Sequence, residues 1–230
     1  GPGITLTAAV LGFFLVTLDA VIVNVALPSI GSELGGGMSA LPWVVNAYTL
    51  AFAALLIPAG AWADRVGASR AFMAGVGGFV IFSLCCGLAP GMPALIVFRC
   101  LQGMSAACMM PSSMALVGQA YPDPSRRVRA VAVWALGGGV AASAAPVLGG
   151  ALTLLSWRWI FIAQVPMTLV ALVVGFFVLP DTDPLAGFSI DVWDAVARRM
   201  HVEFTLQVVA ADDRFSKVER GDAEIGRAHV

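Results

Sequence analysis

The sequence predicts an all-α membrane protein, six transmembrane helices followed by a short α/β segment, and three observations predict it. From Ile4 to Leu179 the chain is almost free of charge, with 11 charged residues in 176. That region divides into six apolar stretches. Each is long enough to cross a hydrocarbon core about 30 Å thick, which takes roughly 20 residues of helix. The composition then changes abruptly, with 16 charges in residues 181–230. Lipid offers backbone polar groups no partner, so such stretches must close their hydrogen bonds internally as helices. A soluble protein with greasy core helices is a poor account of six spans in a row at a mean hydropathy of +0.89.

The first span reads Thr5–Leu27, closed by Pro28 and Gly31. It is too long for a secretory apolar region and lacks a basic flank, so it reads as a retained helix. The chain opens Gly1-Pro2-Gly3 without a Met, which suggests a trimmed start. The second span, Pro42–Ala63, ends at Asp64-Arg65, and the third, Arg70–Ala89, ends at Ala89-Pro90-Gly91. The fourth, Pro93–Val117, ends before Pro122-Asp123-Pro124. The fifth, Val128–Thr153, ends before Ser156, and the sixth, Trp157–Leu179, ends at Pro180-Asp181. The expected organisation is a six-helix bundle over 1–180 and a soluble segment over 181–230.

Net charge is +3 before residue 181 and −4 after it, so the overall −1 says nothing about partners. The second loop carries Arg65 and Arg70, the fourth Arg126, Arg127 and Arg129, the fifth only Arg158, and the first and third no basic residue. Basic residues are retained on the cytoplasmic side. The expected location is therefore a bacterial-type inner (plasma) membrane with both ends cytoplasmic. Cys85, Cys86, Cys100 and Cys108 lie inside spans with neither disulfide nor zinc spacing, and His201 and His229 fall in the tail. We read no metal site, no enzyme active site and no nucleic-acid partner.

Asp19 and Arg99 are the ionisable groups well inside spans, where a charge must face protein or water. Asp19 lies eight residues from Leu27 and Arg99 six residues from Pro93. At 1.5 Å per residue those depths are about 12 and 9 Å from the outer side, so the two opposite charges lie at similar levels. Desolvation and a nearby cation push a carboxylate in opposite directions, so a moving partner can make it take or release a proton. A static ion pair between two helices is the alternative. Asn24 and Gln102 lie one or two turns away and either line a polar cavity or bond between helices. Gly60, Asp64, Arg65, Gly67 and Arg70 form a short charged turn that reads as a latch or as an ordinary cytoplasmic loop. The fifth span is rich in small residues, with Gly137-Gly138-Gly139, then Pro146, Gly149 and Gly150. Small residues let helix backbones approach closely.

Together these segments resemble the major facilitator superfamily, most closely its fourteen-helix drug:proton antiporter branch. Leu18-Asp19-Ala20 through Leu27-Pro28 resembles that branch's first-helix signature, and Gly60–Arg70 the superfamily's loop between helices two and three. Arg99-Cys100-Leu101-Gln102-Gly103 resembles the fourth-helix Arg motif, and Ala145-Pro146-Val147-Leu148-Gly149-Gly150 the antiporter motif of helix five. Trp157-Arg158-Trp159-Ile160-Phe161 with Val165-Pro166 resembles the start of helix six. The resemblance implies one half of a major facilitator fold. It implies proton coupling at Asp19 and Arg99, gating at Asp64, Arg65 and Arg70, and export of amphiphilic compounds driven by a proton gradient without a cofactor. It also implies a second bundle, with the substrate cavity between the two.

Residues 187–230 resemble part of a periplasmic solute-binding or glutamate-receptor ligand-core domain. Ile190, Trp193, Ala197 and Met200 share a helical face, and Val202, Phe204, Leu206 and Val208 alternate with polar residues like a half-buried strand. The expected function is thus a transporter half for proton-coupled export of amphiphilic drugs or small molecules. Its expected partners are the lipid bilayer, a small amphiphilic substrate, and a second half or second copy. The alternatives are a membrane-tethered amino-acid sensor and a non-functional chimeric or truncated product.

Overall fold

The computed structural model describes residues 1–35 and 37–178. Among them the secondary structure is helical without strands: α1 (Pro2–Leu34), α2 (Gly37–Val66), α3 (Ala68–Gly87), α4 (Met92–Ala120), α5 (Pro124–Thr153), α6 (Trp159–Ile162) and α7 (Gln164–Val178). Six segments are long and apolar enough to cross a membrane, the last running Trp159–Phe176 through α6 and α7. The six expected spans are therefore all present. The expected helix, strand and solute-binding resemblance of the tail lie outside the described residues.

Besides shifts of a few residues at other ends, two differences from expectation stand out. Helix α1 runs on through Pro28 to Leu34. Proline removes one amide donor and crowds the turn before it. Here the donor lost is the one Asn24's carbonyl would have used, on the exposed side of the helix, and the helix carries on past it. The sixth span is also not one rod: a turn at Ala163 separates α6 from α7.

Helices α1 and α4 are central. Helix α2 packs chiefly on α4, α5 on α1, and α3 on α4, with α7 against both α1 and α3. One core cluster, at the end bearing Glu33 and Trp157, joins Leu18, Ile22, Ile30, Leu95, Trp157, Ile160 and Phe161. A second joins Tyr48, Phe72, Phe79, Met109 and Leu116. Much of the apolar surface of α2 and α5 stays exposed, including Leu50, Ile57, Leu136 and Val147.

The chain reversals are chemically specified. Gly67 separates α2 from α3 at φ 95°, a conformation that costs a β-carbon dearly and glycine nothing. Between α4 and α5, Asp123 caps α5 by accepting from the Arg126 amide. The Ser125 hydroxyl and that amide hold the Asp123 carboxyl below its usual range. Arg127 donates to the carbonyls of Tyr121 and Gly118, closing the last turn of α4 where the helix dipole favours a cation.

Candidate functional site: a buried carboxylate in a donor cage

Asp19 and Arg99 meet at the centre of the bundle. Arg99 Nη1 donates to Asp19 Oδ2 at 2.5 Å, and both side chains are fully buried. Their similar depth in the sequence is therefore a real juxtaposition between α1 and α4. Gln102, one turn on from Arg99, donates Nε2 to Asp19 Oδ1 at 3.1 Å. Its Oε1 accepts from Arg99 Nη1 at 2.8 Å and from the Cys86 thiol of α3 at 3.6 Å. Arg99 Nε donates to the Val44 carbonyl of α2 at 3.0 Å. The guanidinium carbon lies 4.3 Å from the Tyr48 ring centroid and 5.7 Å from that of Phe161. A cation held over ring faces and bonded to a carbonyl recovers much of what it lost on leaving water.

Sequence reasoning passed over one member of the group. Gln164, at the start of α7, is buried and donates Nε2 to Asp19 Oδ1 at 3.2 Å and to the Ile160 carbonyl at 2.8 Å. It was visible as a lone amide in an apolar run, the same signal that singles out Gln102. Three N–H donors from three side chains thus converge on one carboxylate. Among the described residues two atoms of the group have no partner: Arg99 Nη2 and Gln164 Oε1.

The other expected residues lie elsewhere. Asn24 is exposed on α1, its amide bonded to the Ala20 and Val21 carbonyls of its own helix. Gly60, Asp64 and Arg65 belong to the last turns of α2, and Arg70 to the first turn of α3. Arg65 and Arg70 are exposed and Asp64 half-buried. Among the described residues no ion pair joins these three, and α3 has no side-chain cap, so Asp64 does not close its N-terminus. Pro146 is exposed on α5. Gly149 is buried against Ile22 and Val25 of α1, whereas Gly150 faces open space. Among the described residues no group of His, Cys, Asp and Glu is placed to hold a metal ion.

A second polar cluster closes the opposite end from Arg65 and Arg126. Arg158 donates to Glu33 Oε1 at 3.1 Å and to the carbonyls of Gly87 and Ala89, each at 3.0 Å. Trp157 Nε1 donates to Glu33 Oε2 at 2.8 Å. One arginine thereby ties the end of α1, the α3–α4 turn and the start of the sixth span. Neither Glu33 nor this role of Arg158 was expected from sequence.

A six-helix bundle whose first and fourth helices share a buried ion pair narrows the choice of family sharply. The sequence profile of the Major Facilitator Superfamily matches residues 9–218. The chain belongs to the major facilitator superfamily. Among its relatives is the tetracenomycin C resistance and export protein of Streptomyces glaucescens, 38% identical over 181 residues, covering 78% of this chain and 34% of that protein. Another is the multidrug resistance protein Stp of Mycobacterium tuberculosis, 39% identical over 165 residues, covering 71% of this chain and 31% of that one. The chain spans about a third of the length of these relatives. Among solved structures, a peptide transporter POT in complex with sulfate superposes with a TM-score of 0.70 at 20% identity, over 86% of this chain and 44% of that one. That likeness concerns the fold: this chain has the architecture of one half of a superfamily member.

Proposed function

We propose that this chain is a six-helix half of a proton-coupled exporter of amphiphilic small molecules, with Asp19 as the carboxylate that takes and releases the proton. The observation that carries the reading is the full burial of Asp19 among side-chain partners from other helices. Its partners are an arginine and two amides on other helices. A fully buried ion pair is weak as a stabiliser, while losing one partner typically costs about 3–5 kcal/mol in soluble proteins. A group that expensive is more than a fastening in a bundle already packed by apolar side chains. Protonating Asp19 frees Arg99 from it, and the helices bearing them, α1 and α4, are the two on which α2, α3 and α5 pack.

The named roles of the two relatives, antibiotic resistance with export and multidrug resistance, support an exported drug-like substrate. The exposed apolar faces of α2 and α5 support a second bundle, from another chain or a second copy, with the substrate between the two. Arg65, Arg70, Arg126 and Arg129 at one end support both termini facing the cytoplasm, and the Asp64–Arg70 turn is the element we assign to gating.

Right-side-out vesicles preloaded with ethidium and holding this chain together with a second six-helix half should extrude the dye when the outside is made acid. Asp19→Asn should abolish that efflux while the melting temperature of the bundle in detergent stays measurable and cooperative. Efflux that persists in Asp19→Asn with unchanged pH dependence would reduce Asp19 to a structural role.

A further inference from the structure

A carboxylate surrounded only by donors is built for its ionised form, and here the surroundings of Asp19 are donors throughout. Arg99 Nη1 points at Oδ2, and the amide groups of Gln102 and Gln164 both point at Oδ1. A protonated Asp19 would carry an O–H needing an acceptor in a dry interior, where an unmade hydrogen bond is costly. Arg99 has no acceptor to offer. The Gln102 oxygen is already engaged by Arg99 Nη1 and the Cys86 thiol. The Tyr48 hydroxyl donates to the Val16 carbonyl and is not hydrogen-bonded to Asp19. Of the side chains hydrogen-bonded to Asp19, Gln164 alone has a buried acceptor without a partner among the described residues, its Oε1.

From this, and resting on the proton-coupling reading above, we infer that Gln164 is the positioning residue that makes protonated Asp19 tolerable. Its amide turns about its terminal torsion so that it donates to the carboxylate and accepts from the acid. The two states are complementary. With Asp19 ionised, Gln164 Nε2 donates to Oδ1 and to the Ile160 carbonyl. With a proton on Oδ1, the amide reverses and tilts off the Ile160 carbonyl, which lies 2.8 Å from the present Nε2, and the acid O–H donates to Oε1. Gln102 cannot make the same turn, because reversing it would set its NH₂ group against the Arg99 guanidinium. The two glutamines, donating to the same oxygen, thus have different roles. Gln102 fixes Arg99, and Gln164 follows the proton. Tyr48 from α2, Cys86 from α3 and Arg99 from α4 are the titratable side chains facing Asp19. Helices α5, α6 and α7 bring none to it among the described residues.

The test uses the unchanged chain in detergent and an apolar carbodiimide, which modifies protonated carboxyls in apolar sites, with peptide mass spectrometry reading modification at Asp19. At pH 6, Gln164→Met takes a donor from the carboxylate and an acceptor from the acid together, so it should leave the labelling rate within about threefold of the unchanged chain. Gln102→Met, which takes from Asp19 only a donor to its ionised form, should raise it about tenfold. If Gln164 were a static donor to the carboxylate, both variants would raise labelling, and that result overturns the inference. Should Gln164→Met fail to melt cooperatively, infrared difference spectra of the unchanged chain across the same titration decide the matter. A glutamine amide band must change together with the appearance of the protonated carboxyl band. A carboxyl band arising alone refutes the inference. Absence of any labelling of Asp19 in the unchanged chain between pH 5 and pH 9, by contrast, refutes the proton-coupling reading itself.

Discussion

Gly103 offers the most direct test of how the site is held. It lies one residue beyond Gln102 on α4, where α4 crosses α2. A β-carbon built there would come within 3.0 Å of the Tyr48 carbonyl carbon and of its Cα, and closer still to its oxygen, against ordinary contacts of 3.4–4 Å. These atoms are backbone, so no rotamer change relieves the collision. Helices α2 and α4 must part by about 1 Å, an overpacking that costs about 1–3 kcal/mol. The same displacement stretches the bond from Arg99 Nε to the Val44 carbonyl from 3.0 Å beyond hydrogen-bonding range. A bond from a charged donor is worth about 1.5–3 kcal/mol. The two effects are one event and overlap, so Gly103→Ala should destabilise the bundle by about 3 kcal/mol, a fall of about 6–12 °C in melting temperature on soluble-domain scaling. The control is Gly118→Ala, on the same helix with nothing within 4 Å of the added carbon. There alanine should be neutral or stabilise by up to about 1 kcal/mol. Equal melting temperatures for the two variants in detergent would refute the close crossing and the path by which Arg99 reaches α2.

Two further outcomes follow from the ends of the bundle. Arg158→Ala removes an ion pair and two carbonyl bonds and should cost about 2 kcal/mol, whereas Glu33→Gln keeps an acceptor for Trp157 and loses only a partly exposed ion pair, worth under about 1 kcal/mol. Equal losses for the two in thermal melts would show that the carbonyl bonds of Arg158 hold nothing. Cysteines placed at Ser39 and Ser125, both exposed, should differ in access: an impermeant maleimide should label Ser39→Cys in intact cells and Ser125→Cys only after permeabilisation, and the reverse pattern would invert the proposed orientation.

Hydropathy and arginine placement made the six spans legible because both are summed over many residues. Single residues were harder to read. Pro28 marks the end of a span by local rules, yet α1 continues past it, since one absent amide on an exposed face is a small loss in a 33-residue helix. The turn at Ala163 left no hydropathic trace, because both halves of the sixth span are equally apolar. Asp19 and Arg99 stood out because charge is rare in such a sequence, and counting depth from the span ends placed them at one level. Gln102 stood out beside them. Asn24 followed from the same rule; it lies on an exposed face of α1 with its amide bonded to its own helix. Gln164 sits 145 residues from Asp19, and only the fold brings them together. Glu33 lay beyond the expected first span, and nothing local pairs it with Arg158, 125 positions away.

The fixed and free parts of the bundle follow from where hydrogen bonds lie. Around Asp19, side-chain bonds join α1, α2, α3, α4 and α7 into one block, with the Ser83 hydroxyl of α3 also donating to the Phe161 carbonyl of α6. Helix α5 is different. Its bonds to the rest of the described protein lie near its first half: Arg127 to the Tyr121 and Gly118 carbonyls, and Trp134 Nε1 to the Ser113 hydroxyl at 3.2 Å. Trp134 also stacks on Phe13 of α1 at 4.1 Å. Beyond Trp134, α5 meets α1 through Gly137, Gly138 and Gly149, pressed against Val10, Phe13, Ile22 and Val25. Dispersion contacts between small residues give little resistance to sliding until neighbours collide, whereas a hydrogen bond is lost within about 1 Å. Pro146 adds to the contrast by withholding the amide that the Ala142 carbonyl would otherwise accept, on an exposed face. The helix is therefore bonded at its arginine-bearing end and held by packing at the other. Motion of α5 against α1 breaks the fewest bonds when it pivots near Trp134, and it leaves the Asp19 cage intact.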